Sequence, residues 1–169
     1  DTPSVDGCDL VTTIDVSMQD LTEKVLGDQL RSIGARAGMC ILMEVQTGNI
    51  KAISSLSRLE NGGYAEIDPR AVTNMMEPGS VFKPMSFMVA MEDGKINMNT
   101  TCNTGNGIRE MYGRKMRDSD WRKGGNGVLT VPEIIKKSSN VGVSTLIDNA
   151  YASNPDQFVA VLQRIGIME

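Results

Sequence analysis

The stretch Glu77-Pro78-Gly79-Ser80-Val81-Phe82-Lys83-Pro84 constrains the fold more than any other, because two prolines and a glycine leave its backbone few conformations. Pro78 and Gly79 are turn residues. Pro84 has no amide hydrogen to donate, so a helix that contains it must begin close to Ser80. Ser80 is thereby predicted in the first helical turn, where unpaired backbone N–H groups and the positive end of the dipole favour developing negative charge. The helix that follows carries Val81, Phe82, Met85, Met88, Val89 and Met91, is apolar on most sides, and should stop near Gly94. A helix of that composition is predicted to be buried, placing Ser80 on a rigid central element. Ser80 and Lys83 at i and i+3 share one helix face, with the amine in reach of the hydroxyl. That pairs a nucleophile with a base. The same spacing also arises about once by chance in a chain of this size, and a serine at a helix start commonly does no more than cap it.

Composition narrows the choice of base. The 169 residues include no histidine, which rules out a serine–histidine–carboxylate triad and any histidine-ligated metal within this chain. An activated serine here must use another group, and lysine is the obvious one. Cys8, Cys40 and Cys102 are widely spaced, odd in number and free of a CxxC pattern, so they suggest neither a metal site nor a disulfide framework. Cys40, inside an apolar run, reads as packing. No cofactor and no metal are expected. A net charge of −4 gives no support for nucleic-acid binding, and 40% apolar content with charges of both signs fits one soluble globular domain with a real core. The twelve methionines fall among aliphatic residues and read as core filler. No apolar run is long enough to span a bilayer, and residues 1–7 are no signal peptide, so any anchor is expected outside this chain.

Along the chain, residues 1–9 read as a tail or linker. Residues 10–54 read as strand, helix and hairpin: a strand at Leu10–Ile14, then a helix capped by Asp15 or Ser17. That helix has apolar positions Met18, Leu21, Val25, Leu30 and Ile33 and ends at Gly34. Strands at Ala37–Val45 and Ile50–Ser54 flank the turn Gln46-Thr47-Gly48-Asn49. Ser55 to Arg70 reads as a loop, and Ala71 to Met76 as a short helical turn. Residues 71–169 form a mainly helical part. Within it, Gly94 to about Leu129 is expected to be irregular apart from a small hairpin around Tyr112-Gly113-Arg114. Arg109, Arg114, Lys115, Arg117, Arg122 and Lys123 cluster there, consistent with a solvated excursion or with a binding surface. A capping box of Thr130 and Glu133, with Pro132 in the first turn, starts a helix that buries Ile134 and Ile135 and breaks at Ser138-Ser139-Asn140. A helix from Val141 to about Ala150 and another from Pro155 to Gly166 complete the chain. The fold class is α+β.

Ser138 and Asn140, two apart at a junction between helices, can both point into one cleft, the hydroxyl relaying a proton and the amide gripping a peptide group. Capping of the next helix would produce the same pattern. Taken in order with Ser80 and Lys83, they match two of the three motifs of serine acyl-transferases of the penicillin-binding type, SxxK and SxN, the third being KTG. The wording around them is more specific: Glu-Pro-Gly-Ser-x-x-Lys-Pro at 77–84, Lys-Ser-Ser-Asn-Val-Gly-Val-Ser at 137–144, Thr-Ile-Asp-x-x-Met-Gln at 13–19 and Ile-Leu-Met-Glu-Val-Gln-Thr-Gly-Asn-Ile at 41–50. Over nearly its whole length the chain resembles a class B penicillin-binding protein, above all the division-specific transpeptidase that builds septal peptidoglycan.

The resemblance implies a D,D-transpeptidase that cross-links peptidoglycan stem peptides ending in D-Ala-D-Ala and is acylated by β-lactams. By it, Ser80 is the nucleophile, Lys83 its base, Ser138 a proton relay and Asn140 a ligand for the substrate amide, with the Ser80 N–H forming half of an oxyanion hole. It also implies the extracytoplasmic face of a bacterial inner membrane, in the periplasm, and cell-division membrane proteins as partners. No Lys-Thr-Gly occurs in the chain, and Lys123-Gly124-Gly125 precedes SxN. A partial β-lactamase/transpeptidase-like fold is therefore expected, the front half of the domain, with the C-terminal strands missing. Such a piece should be poorly active and should self-associate or swap to hide the open edge of the Met39–Ser54 hairpin. A serine β-lactamase or a non-catalytic β-lactam sensor would share the same serine and lysine.

Overall fold

Asp15 accepts a hydrogen bond from the Met18 N–H at 3.0 Å and so starts helix α1 (Val16–Ile33), which ends with Gly34 in the left-handed conformation. The computed structural model describes residues 6–167. Of the tail expected at 1–9, residues 1–5 lie outside the described residues, as do 168 and 169 at the end of the helical part. The chain forms two compact units, one up to Met76 and one from Glu77.

In the first unit β1 (Ala37–Met43) pairs antiparallel with β2 (Ile50–Arg58), and β2 pairs with a two-residue β3 (Tyr64–Ala65). The segment expected to be a loop from Ser55 thus begins as strand, because Ser55, Leu56 and Ser57 pair with Met39, Gly38 and Ala37 of β1, and Ser57 and Arg58 also find partners in Ala65 and Tyr64. Conversely, Leu10–Ile14 forms no strand. Thr13 instead donates its hydroxyl to the Ile50 carbonyl at 2.7 Å, and the Gln19 side-chain amide bonds both the N–H and the carbonyl of Ile53 at 2.8 and 2.9 Å, standing in for a neighbouring strand. Helix α2 (Arg70–Thr73) is tied to the sheet by its Ala71 N–H, which donates to Ser55 Oγ at 3.0 Å.

Helix α1 meets the sheet through Leu26, Gly27 and Leu30. A Cβ on Gly38 would fall 2.8 Å from a Leu30 methyl and 3.3 Å from a Leu26 methyl, so a glycine on β1 lets helix and sheet approach closely, whereas a Cβ on Gly27 would make an ordinary 3.5 Å contact with Leu56. Of the stripe expected to be buried, Leu30 is inside, whereas Met18, Leu21, Val25 and Ile33 are exposed and Leu26 and Gly27 take their place. The reason is that Gly38, which admits Leu26 and Leu30, rather than the count of apolar side chains, selects the contacting face. Several methionines expected in the core, among them Met43, Met75, Met88 and Met98, are exposed as well.

The second unit opens with a 3₁₀ turn at Gly79–Phe82 that runs into α3 (Lys83–Glu92), with Pro84 in the first α-helical turn. Ser86, Phe87, Val89 and Ala90 of α3 are buried, whereas Val81 and Met88, expected inside, face solvent. The stretch from Gly94 to Leu129 has the expected hairpin, β5 (Ile108–Met111) and β6 (Arg114–Arg117), and in place of irregular backbone also β4 (Thr101–Asn103) and β7 (Val128–Thr130). β7 pairs back onto β4 across the hairpin. That pairing could not be read locally, since both strands are only three residues long and 24 residues of loop and hairpin separate Asn103 from Val128.

Helix α4 (Val131–Lys137) starts with the Thr130/Glu133 capping box, α5 (Asn140–Tyr151) follows with Ser139 as its cap, and α6 (Pro155–Arg164) closes the unit. Phe87, Val89, Ile134, Val143, Leu146 and Leu162 form the centre of one core. Tyr151, buried in that core, donates its hydroxyl to Asp93 at 3.0 Å, and burial together with the carboxylate pushes its pKa up to about 12. Where α4 and α5 cross, Gly142 leaves no room for a side chain: a Cβ there would lie 2.8–2.9 Å from three carbons of Ile134.

Candidate active site

The chain reverses sharply between α4 and α5 without a glycine. Ser138 takes the left-handed conformation, φ 52° and ψ 41°, which L-residues other than asparagine and aspartate adopt rarely. Its N–H bonds the Ile135 carbonyl at 3.0 Å, and the next N–H, of Ser139, bonds Ile134 at 2.9 Å, closing α4. Ser139 then caps α5 by accepting from the Gly142 N–H at 2.9 Å. One residue pair thus ends one helix and begins another. Ser138 is left exposed at the corner, and Ser139 is buried beneath it.

The exposed corner receives Lys83. Its Nζ donates to Ser138 Oγ at 2.9 Å and to the Ser138 carbonyl at 2.5 Å, which joins two motifs 55 residues apart. Lys83 is half-buried. Burial pushes its amine below the usual lysine range, and the negative charge of Asp118 partly opposes that shift. Its backbone N–H bonds the Ser80 carbonyl, so Ser80 and Lys83 sit one helical turn apart. Ser80 is exposed at the turn that opens α3. Among the described residues no hydrogen bond joins Nζ to the Ser80 hydroxyl, and the lysine is held by Ser138 instead.

Asn140, the first residue of α5, donates its side-chain amide to the Arg117 carbonyl at 2.7 Å. With Lys83 it lines a cavity of about 710 Å³ between α3, α5 and the β5–β6 hairpin, whose walls include Phe82, Val143, Tyr112 and Ser144. Ser80 and Ser138 are not among the residues that line it, and Ser138 touches the lining through its bonds to Lys83. The hairpin is latched to α5 by Arg109, which donates to Thr145 Oγ1 at 2.8 Å, and by Tyr112, which donates to Asp148 at 2.5 Å. The basic cluster is therefore not wholly a solvated excursion: Arg109 is half-buried, and Arg117 and Arg122 lie over the Trp121 ring at 5.4 and 5.2 Å.

Sequence reasoning missed Asp118. It is 3% exposed, and its two oxygens accept from Ser139 Oγ at 2.8 Å and from the Val141 N–H at 2.9 Å. A carboxylate embedded in Arg114-Lys115-Met116-Arg117-Asp118-Ser119-Asp120-Trp121-Arg122-Lys123 reads as one more surface charge. Only the buried middle serine of Ser138-Ser139-Asn140, which needs a partner, could have pointed to it. Among the described residues no cluster of three or more cysteine, aspartate and glutamate side chains is placed to hold a metal ion.

A family model described as the penicillin binding protein transpeptidase domain matches residues 38–169. Stage V sporulation protein D of Bacillus subtilis (strain 168) is 29% identical over 147 residues, 83% of this chain and 22% of its own length. The peptidoglycan D,D-transpeptidase FtsI of Escherichia coli (strain K12) is 29% identical over 169 residues, 94% of this chain and 26% of its own length. Among solved structures, the apo transpeptidase domain of penicillin-binding protein 3 from Burkholderia pseudomallei superposes with a TM-score of 0.76 at 29% identity, over 92% of this chain and 42% of that one. The chain spans about a quarter of the length of these curated relatives.

Proposed function

The chain belongs to the penicillin-binding protein transpeptidase domain family, and on that premise we propose that it carries the acylation centre of a peptidoglycan D,D-transpeptidase, with Ser80 as nucleophile. The observation that supports this most is the meeting of Lys83 Nζ with Ser138 Oγ at 2.9 Å one helical turn from Ser80. A neutral Lys83 amine takes the Ser80 hydroxyl proton as Oγ attacks the carbonyl of the penultimate D-alanine. The Ser80 N–H stabilises the oxyanion. The proton then passes by way of Ser138 to the departing D-alanine nitrogen, the C–N bond breaks, and an ester on Ser80 remains. An amine of a neighbouring stem peptide takes the acyl group and frees the serine. Asn140 binds the substrate amide. A β-lactam forms the same ester because it imitates the D-Ala-D-Ala end.

The test is labelling of the full-length gene product by a fluorescent penicillin. We expect one stable adduct, located on Ser80 by peptide mass spectrometry and abolished by Ser80→Ala. An adduct elsewhere, or none, would sink the assignment, and release within seconds would mark a β-lactamase instead. The septal role, the periplasmic setting and partnership with cell-division membrane proteins belong to the same proposal. No helix among the described residues is long and apolar enough to cross a membrane.

The 169-residue chain by itself carries no Lys-Thr-Gly, and we expect it to label slowly. It should also self-associate. β1 has a hydrogen-bonded neighbour on one side only among the described residues, and Ile41, Leu42 and Met43 on it are 43–54% exposed. Light scattering should therefore give a mass above that of one chain, reduced by Ile41→Lys. A strict monomer at high concentration would contradict this.

A further inference from the structure

The loop that leaves β6 clamps the turn from which Ser138 reaches Lys83. Three bonds tie residues 117–118 to residues 139–141: the Arg117 carbonyl accepts from Asn140 Nδ2 at 2.7 Å, Asp118 Oδ2 from Ser139 Oγ at 2.8 Å, and Asp118 Oδ1 from the Val141 N–H at 2.9 Å. Asp118 is itself fixed, its N–H bonded to the Gly107 carbonyl at 2.9 Å and its carbonyl accepting from the Trp121 N–H at 3.3 Å. Gly107 has φ 77°, and a Cβ there would press on Trp121 Cα at 3.2 Å and Asp118 Cβ at 3.4 Å, so the loop has little freedom to shift. A buried carboxylate is costly to place unless its oxygens are satisfied, and here both are spent on one turn.

We propose that Asp118 is a positioning residue for acylation, holding Ser139 and Val141 from behind so that Ser138 keeps the left-handed conformation that brings its hydroxyl to Lys83. The inference rests on the proposed acylation at Ser80. Ser138 pays for that conformation with backbone strain, and left-handed non-glycine residues persist where surrounding bonds over-determine them. Its neighbours on both sides supply those bonds: the end of α4 through Ile134 and Ile135, and the start of α5 through Asp118. Asp118 touches neither Ser138 nor Lys83 by a hydrogen bond among the described residues, and it acts on them through the turn and through its charge. Lys83 feels that charge. The other charged groups nearby are Arg114, Lys115 and Asp148, which line the Lys83 cavity, and Arg109, whose charge opposes that of Asp118 at the buried Cys102 thiol.

Asp118→Asn separates the roles. Asparagine keeps an oxygen for the Val141 N–H, but its amide turns a donor toward Ser139 Oγ, and the negative charge is gone. In the full-length gene product we expect penicillin acylation of Ser80 to fall about ten- to a hundredfold, the scale of a small displacement of catalytic groups. We also expect the acid limb of the pH–rate profile to move to lower pH, because the amine loses the charge that favours its protonated form. Slower acylation with the acid limb unmoved would mean that Asp118 acts through stability alone and would overturn the inference, as would an unchanged rate. If Asp118→Asn does not fold, Ser139→Ala decides: it keeps the carboxylate but cuts the bond to Oδ2 together with the cap bond from the Gly142 N–H, so slower acylation with the limb in place and the denaturant midpoint unchanged supports the inference, whereas a wild-type rate, or slowing that only accompanies a lowered midpoint, overturns it. Failure of the wild-type protein to label at Ser80 would instead overturn the proposed function itself.

Discussion

Lys83→Arg is expected to slow acylation of Ser80 by about 10²–10⁴-fold, the contribution of a positioned general base. Arginine keeps the positive charge, the length to reach Ser138 and the attraction of Asp118, but it is never neutral at accessible pH and cannot accept the serine proton. Lys83→Ala should lose a similar factor and so shows that the loss is not one of bulk. The pH dependence follows from the direction of the lysine shift. Burial disfavours the ammonium, so the folded-state pKa lies below 10.5, and the neutral amine is present at lower pH than in a free lysine. The acylation rate should then rise with pH through that lowered value and fall as pH drops below it. A Lys83→Arg protein that acylates at the wild-type rate would show that Lys83 only positions Ser138 and that another group takes the proton.

Gly142→Val should destabilise the second unit strongly, although glycine inside a helix is usually a liability. Replacing a helical glycine ordinarily gains stability, up to about 1 kcal/mol for alanine. Here a Cβ would stand 2.8–2.9 Å from three carbons of Ile134, which is 0% exposed and has nowhere to swing. Overpacking of this kind costs about 1–3 kcal/mol, and the two branches of valine add to the clash. Ile134→Ala by itself should cost about 2–5 kcal/mol for the lost burial and the cavity left behind. Combined, the two changes should cost clearly less than their sum, because the cavity made by one takes the side chain added by the other. Denaturant midpoints of the two single variants and the double variant measure the coupling. Additive losses would mean that α4 and α5 do not meet at Gly142.

The site was legible in part. Ser80, Lys83, Ser138 and Asn140 stood out because each belongs to a short pattern with its own backbone signal, a Pro-Gly turn for the first pair and a helix break for the second. The structure brings Lys83 to Ser138 and lines one cavity with Lys83 and Asn140, but it leaves the Ser80 hydroxyl without a bond to Lys83 among the described residues. Asp118 was hidden by its neighbours. Nothing within four residues of it marks it as buried, since its partners lie 21 and 23 residues further on.

Local chemistry determined where helices start and stop. Asp15 and Gly34 bound α1, Thr130 with Glu133 opens α4, and Ser139 opens α5, because a cap bonds a backbone group only two or three residues away. The hairpin of β1 and β2 was equally local. Tertiary structure decided which side of α1 meets the sheet, that β7 returns to β4, that Asp118 is interior, and that Lys83 is held by Ser138. Each of these depends on groups distant in sequence finding one another, and on glycines at 38 and 142 permitting closer contact than any count of apolar side chains foretells.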